Sequence, residues 1–169
     1  MLDFYIIGQP RSGTTWLANL FTDDKNLCYH DSLSQLPFKQ FNTLKKEGFK
    51  VGTAETGAFP YLQEINDSSA PKLIIHRSEE EIKASLGEDL KLPEVDLNRF
   101  QGVHVIFEDI FDVRKMRIVY KYLVKRELNE DRFNLLVNCQ VNPKLDRIKL
   151  SKSALHSYIE RLRKGIASI

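Results

Sequence analysis

The chain has 169 residues, a formal net charge of +2 and an apolar share of 42%, which suits one globular domain with its own core. A balance this close to neutral argues against a nucleic-acid partner or an acidic membrane surface. With only two cysteines, Cys28 and Cys139, no disulfide framework is called for, and reduced thiols in a cytoplasmic setting are the expectation.

In chain order, the hydrophobic pattern predicts strands at 3–8, 26–30, 50–54, 72–76 and 103–107. Helices are predicted at about 14–22, 34–47, 79–86, 113–128 and 151–165. Such alternation implies parallel strands joined by right-handed crossovers, hence an α/β domain over 1–169 with a three-layer α/β/α build and its ligand at the carboxyl ends of the strands. The first strand begins almost at once, leaving no room for a signal peptide, and no apolar run approaches the ~20 residues of a membrane span. Turn chemistry interrupts the pattern at 66–71, and a longer irregular excursion at 87–102 carries Pro93 and several acids.

The first strand, Phe4-Tyr5-Ile6-Ile7, runs into Gly8-Gln9-Pro10-Arg11-Ser12-Gly13-Thr14-Thr15-Trp16 and then into a helical stretch from Leu17 to Phe21. Two glycines let the backbone turn tightly and approach a ligand. The free amides at the start of the helix, with its dipole, favour an anion. A triphosphate-binding loop of the form GxxxxGK would need lysine where this chain has Thr14. The cation lies inside the loop instead, at Arg11, whose fork can grip a phosphate or sulfonate edge. A magnesium-bound triphosphate is therefore not the expected ligand.

A second strand and helix start are predicted downstream. Lys72-Leu73-Ile74-Ile75-His76 ends in Arg77, and Ser78 then opens a helix as N-cap, with Glu81 in capping-box position. Arg77 at the edge of a parallel strand and Ser85 two helical turns on can converge on one anion; taken alone, the pair reads more simply as a surface arginine and a helix serine. In the helix 113–128, Val113, Met116, Val119, Tyr120, Leu123 and Val124 form one apolar face, leaving its cations solvated. His30, His76, His104 and His156 are scattered, with no Cys/His pair at ligand spacing, so no metal site is expected.

The run from Arg11 to Trp16 resembles the 5′ loop of sulfotransferases that use 3′-phosphoadenosine 5′-phosphosulfate (PAPS). That loop reads Lys or Arg, then Ser-Gly-Thr-Thr, then Trp or Leu. Arg77 and Ser85 resemble the family's arginine and serine, eight residues apart, that hold the 3′-phosphate. The resemblance extends loosely to 26–31 and to Phe107-Glu108-Asp109-Ile110 with the following helix. It implies a P-loop NTPase-like α/β fold and PAPS as co-substrate, with no metal required. Arg11 then contacts the phosphosulfate and its bridging oxygen, and the amides of Ser12, Gly13, Thr14 and Thr15 receive the 5′-phosphate. Trp16 matches a position that stacks on adenine, though a core role in the first helix accounts for it equally.

Sulfuryl transfer also needs a general base for the acceptor. The resemblance puts a carboxylate after the first helix, where Asp31 stands, aided by His30; the other reading of Asp31 is a cap on the next turn. Glu55, twenty-two residues before Arg77, occupies the place of the cytosolic members' catalytic histidine and is the rival base. Arg163-Lys164-Gly165 with Ser168 partly resembles a run that wraps the 3′-phosphate, while the periodicity of Leu155, Tyr158, Ile159 and Leu162 reads as a terminal helix. The acceptor is expected to be a hydroxyl or amine on a small molecule, glycan or peptide, at a site that is shallow or completed by a second subunit. Alternatives are a catalytically silent module that binds adenosine bisphosphate and a divergent small-molecule kinase using ATP.

Overall fold

A computed structural model describes residues 1–86 and 95–138. Its strands are β1 Phe4–Gly8, β2 Asn26–His30, β3 Lys50–Glu55, β4 Lys72–His76 and β5 Val103–Ile106. All pair in parallel in the order β2-β3-β1-β4-β5. The central strand β1 is buried along its whole length, as expected of a parallel strand covered on both faces. Its side chains divide with the two-residue period of a strand: Phe4 and Ile6 enter one apolar cluster, Tyr5 and Ile7 the other.

The first cluster is closed by α1 (Thr14–Leu20), α4 (Val113–Val124) and α5 (Glu130–Asn138), through Leu17, Met116, Tyr120, Leu123 and Phe133. The second is closed by Phe41, by Ile65 of α2 (Leu62–Asp67), and by Leu97 and Phe100. On α4 the buried residues are Met116, Val119, Tyr120, Leu123 and Val124, the apolar stripe read from its 3.6-residue period. Asp112 caps its start by accepting from the amides of Arg114 and Lys115, and Lys125 ends it in the left-handed region at φ 59°. α3 (Glu79–Leu86) is capped by Ser78, whose Oγ accepts from the Glu81 amide at 3.2 Å and donates to Glu81 Oε2 at 3.0 Å.

Three expectations about the helices need correction or fall outside the structure. The helix predicted at 34–47 is two 3₁₀ segments, Ser32–Ser34 and Phe38–Leu44. Pro37, at ψ 144°, has no amide to continue a helix and pushes its predecessor toward extended backbone. Helices α2 and α5 were not predicted; at six and nine residues they are too short for periodicity to declare them. The stretch 151–165, Cys139, and the run around Arg163 and Ser168 lie outside the described residues. Among the described residues no helix is long and apolar enough to cross a membrane.

Candidate functional site

Because every strand runs the same way, Gly8, His30, Glu55, His76 and Ile106 all end at one edge of the sheet. The loop after β1 takes a conformation few residues tolerate, with Arg11 at φ 66° and Gly13 at φ 85°. Gly8 and Gly13 are required for different reasons. A Cβ on Gly8 would meet Ser12 Oγ at 2.2 Å; one on Gly13 would meet Ile110 Cδ1 at 2.5 Å, in a backbone region that itself disfavours side chains.

Ser12 is fully buried, and both its amide (3.2 Å) and its hydroxyl (2.5 Å) donate to the Gln9 carbonyl. Its amide is therefore engaged inside the loop, which corrects the expectation that it faces an anion. Gly13 is the N-cap of α1, its carbonyl accepts from the Leu17 amide at 2.9 Å, and no side chain caps the helix. The amides of Thr14, Thr15 and Trp16 form the first turn, where no intrahelical acceptor exists.

Arg11, Arg77 and Ser85 are gathered at this loop in one hydrogen-bonded cluster. Arg11 Nε donates to Ser85 Oγ at 2.9 Å, and Arg77 Nη1 donates to the Arg11 carbonyl. The Arg77 guanidinium lies 3.9 Å above the Phe107 ring, with Glu81 Oε2 at 3.9 Å from its Nε. That Nε is buried with no hydrogen-bond partner among the described residues. The ring and the loop carbonyl together fix this guanidinium at the loop. Phe107 was not singled out for this role; its signal in the sequence is an aromatic residue one position past a parallel strand.

At the end of β2, His30 faces the same loop, while Asp31 faces the loop after β3. His30 Nε2 lies 3.2 Å from Thr14 Oγ1 and 3.1 Å from Thr15 Oγ1, while its Nδ1 lies 3.5 Å from Asp31 Oδ2. Asp31 sits at φ 49°, and its Oδ1 accepts from the amide (2.8 Å) and the hydroxyl (2.9 Å) of Thr56. In the tautomer protonated on Nδ1, the side nearer this carboxylate, the Nε2 lone pair is turned to the threonine hydroxyls. Both side chains remain about one-third exposed, at 33% and 31%. Thr56, which pins the carboxylate, gave no signal in the sequence, since a threonine in a loop has many uses.

Glu55 has different surroundings from those of a base that meets an acceptor. It is 1% exposed. Its Oε1 accepts from the Ser32 amide at 2.8 Å and from the Thr53 hydroxyl, and its Oε2 accepts from the Leu33 amide at 3.2 Å. It ties the end of β3 to the turn after β2. Burial pushes its carboxyl above the usual range, assisted by the Asp31 charge and opposed by the hydrogen bonds from Thr53, Leu33 and Ser32. A raised folded-state value means that this group's stabilising contribution is full below its ordinary value of 4.5 and is lost as pH rises through the folded value. Glu55→Gln should remove that loss. In urea unfolding at pH values from about 4.5 to about 8, the variant should gain on the wild type as pH rises; a constant difference would contradict the assignment.

Trp16 is also corrected from a platform for adenine. It is 6% exposed, its Nε1 donates to the Leu136 carbonyl at 3.0 Å, and its ring packs edge-on against Phe111 and Phe133. It is where α1 joins α5, an apolar body with its one donor satisfied. His76 and His104 are brought together, Nε2 to Nδ1 at 2.8 Å, across β4 and β5. Burial, then the neighbouring His104, lowers the His76 pKa against the opposing pull of Asp96. Among the described residues no cluster of three or more His, Cys, Asp or Glu side chains could hold a metal ion. In comparisons with known proteins, the chain matches no family model, no curated protein and no solved structure.

Proposed function

We propose that the chain is a PAPS-dependent sulfotransferase that moves a sulfuryl group to a hydroxyl or amine acceptor. The observation that carries this reading is the cluster of Arg11, Arg77 and Ser85 around the open start of α1, with His30 on the adjoining threonines. The parallel order β2-β3-β1-β4-β5, with an apolar cluster on each face, supports a three-layer, P-loop-like architecture behind it.

In the reaction the acceptor oxygen or nitrogen attacks sulfur from the side opposite the leaving group. The new bond to sulfur forms while the bond from sulfur to the bridging oxygen breaks. Adenosine 3′,5′-bisphosphate leaves with that electron pair, and the charge on its 5′-phosphate is met by Arg11 and by the first amides of α1. The acceptor proton passes to His30 Nε2, and Asp31 stabilises the imidazolium through Nδ1. Asp31 Oδ1 already accepts two hydrogen bonds from Thr56, which places Asp31 as the partner of His30 rather than as the group that meets the acceptor. The 3′-phosphate falls to Arg77, which the Arg11 carbonyl and the Phe107 ring hold at the loop.

Calorimetry separates this reading from an ATP-using kinase. Adenosine 3′,5′-bisphosphate is expected to bind without magnesium, and at least about tenfold more tightly than ATP with magnesium. The reverse order would overturn the proposal. Tight bisphosphate binding with no release of that product from PAPS, across a broad panel of hydroxyl and amine acceptors, would identify a catalytically silent module instead.

A further inference from the structure

On the opposite side of the same loop lies a cleft that the nucleotide reading leaves unused. It is largely enclosed, measures about 70 Å³, and is lined by the apolar side chains of Ile7, Pro10, Ala58, Phe59, Val95 and Leu97. Its position follows from the topology. The connection after β1 enters α1 and the first apolar cluster, whereas the connection after β3 enters α2 and the second. Neighbouring strands β1 and β3 therefore send their chains to opposite faces, and the crevice this opens at their carboxyl ends is where α/β sheets bind ligands.

The walls are mainly apolar, and the polar side chain that matters is Thr56. Thr56 belongs to both features: it lines the cleft and donates to Asp31, the partner of His30. A molecule with its carbon end in the cleft and its polar end at Thr56 is thereby directed toward the proton-accepting side chains. The volume sets its size. A cavity of ~150 Å³ holds benzene, so this one has room for a chain of roughly three or four carbons.

We propose that this cleft is the acceptor subsite and that it selects a short aliphatic alcohol or amine over a bulky glycan or a peptide side chain. The proposal rests on the sulfotransferase reading for its reaction but not for its binding, and the test exploits that difference. In the nucleotide-free protein, 1-butanol is titrated while the methyl signals of Ile7, Val95 and Leu97 are followed by carbon-detected correlation spectra. The three should shift together and saturate. Each methylene buried should strengthen binding roughly fourfold, so ethanol should bind about fifteenfold more weakly. Val95→Phe should fill the cleft and abolish the shifts at Ile7 and Leu97, with unchanged Ile74 and Ile75 signals reporting an intact sheet. Phe59→Ala should widen it and move the preference to 1-hexanol, which gives a second reading if the first variant is unstable.

Shifts that fail to saturate, that centre elsewhere, or that persist in Val95→Phe would overturn the subsite. Turnover from PAPS distinguishes the two proposals. Butanol binding without bisphosphate binding would keep the cleft and remove the transferase. Transfer to peptide or glycan hydroxyls by a protein indifferent to butanol would keep the transferase and remove the cleft.

Discussion

Replacing His30 by alanine should lower the release of adenosine 3′,5′-bisphosphate from PAPS by about 10²–10⁴-fold, the usual worth of a positioned general base. Affinity for the bisphosphate should stay within a few-fold of wild type, because the nucleotide is assigned to the arginines and the α1 amides. The assignment rests on Nε2 lying 3.2 Å and 3.1 Å from the hydroxyls of Thr14 and Thr15 at the loop. Asp31→Asn is the companion test for a residue that acts through His30. Asparagine tolerates the left-handed backbone found at Asp31, so the turn should survive while the charge opposite Nδ1 is lost. Nitrogen spectra of the imidazole should show the proton held on Nδ1 in the wild type and shared between tautomers in the variant, a change that a capping role for Asp31 would not produce. Full turnover by His30→Ala would return the role of base to Asp31 or remove it from this edge altogether.

Arg77→Ala should be the most damaging change to nucleotide binding, and its effect should come in two parts. Loss of a charge-assisted contact to the 3′-phosphate costs ~1.5–3 kcal/mol, about tenfold to a hundredfold in affinity. The geometry adds a second loss. Arg77 donates to the carbonyl of Arg11, a residue held at φ 66°, so the variant also loosens the loop that receives the 5′-phosphate. Adenosine 5′-phosphate, which has no 3′ group, should therefore weaken as well, by less than the bisphosphate. Calorimetry with the two nucleotides reads both parts. Equal weakening would leave Arg77 as a brace alone, and no weakening of the 5′-phosphate would leave it as an anion ligand alone.

Much of this arrangement was legible in the chain. Five apolar runs at the right intervals and a glycine-framed loop after the first pointed to the parallel sheet and its carboxyl edge, because strand period and turn chemistry are local properties. Arg11, His30, Asp31, Arg77 and Ser85 were all singled out. The linkage among them was not legible. Arg11 to Ser85 spans 74 residues and Arg77 to Arg11 spans 66, and no spacing rule operates over such distances. Trp16 shows the same limit from the other side: its match to a stacking position is a local signal, and its burial depends on α5, more than a hundred residues away.

By itself, then, the sequence determined the five strands, their parallel sheet, the glycine-framed loop after the first, and the edge at which a site is proposed. Tertiary structure decided which carboxylate is buried and which is exposed, with Glu55 closed in by Ser32, Leu33 and Thr53 and Asp31 open beside His30. It also decided that the two arginines form one cluster and that a cleft opens beside Thr56. The physical reason is that backbone propensity acts between near neighbours. Burial, hydrogen-bond partners and cavities depend on which strands lie side by side, and the order β2-β3-β1-β4-β5 exists only once the chain has packed.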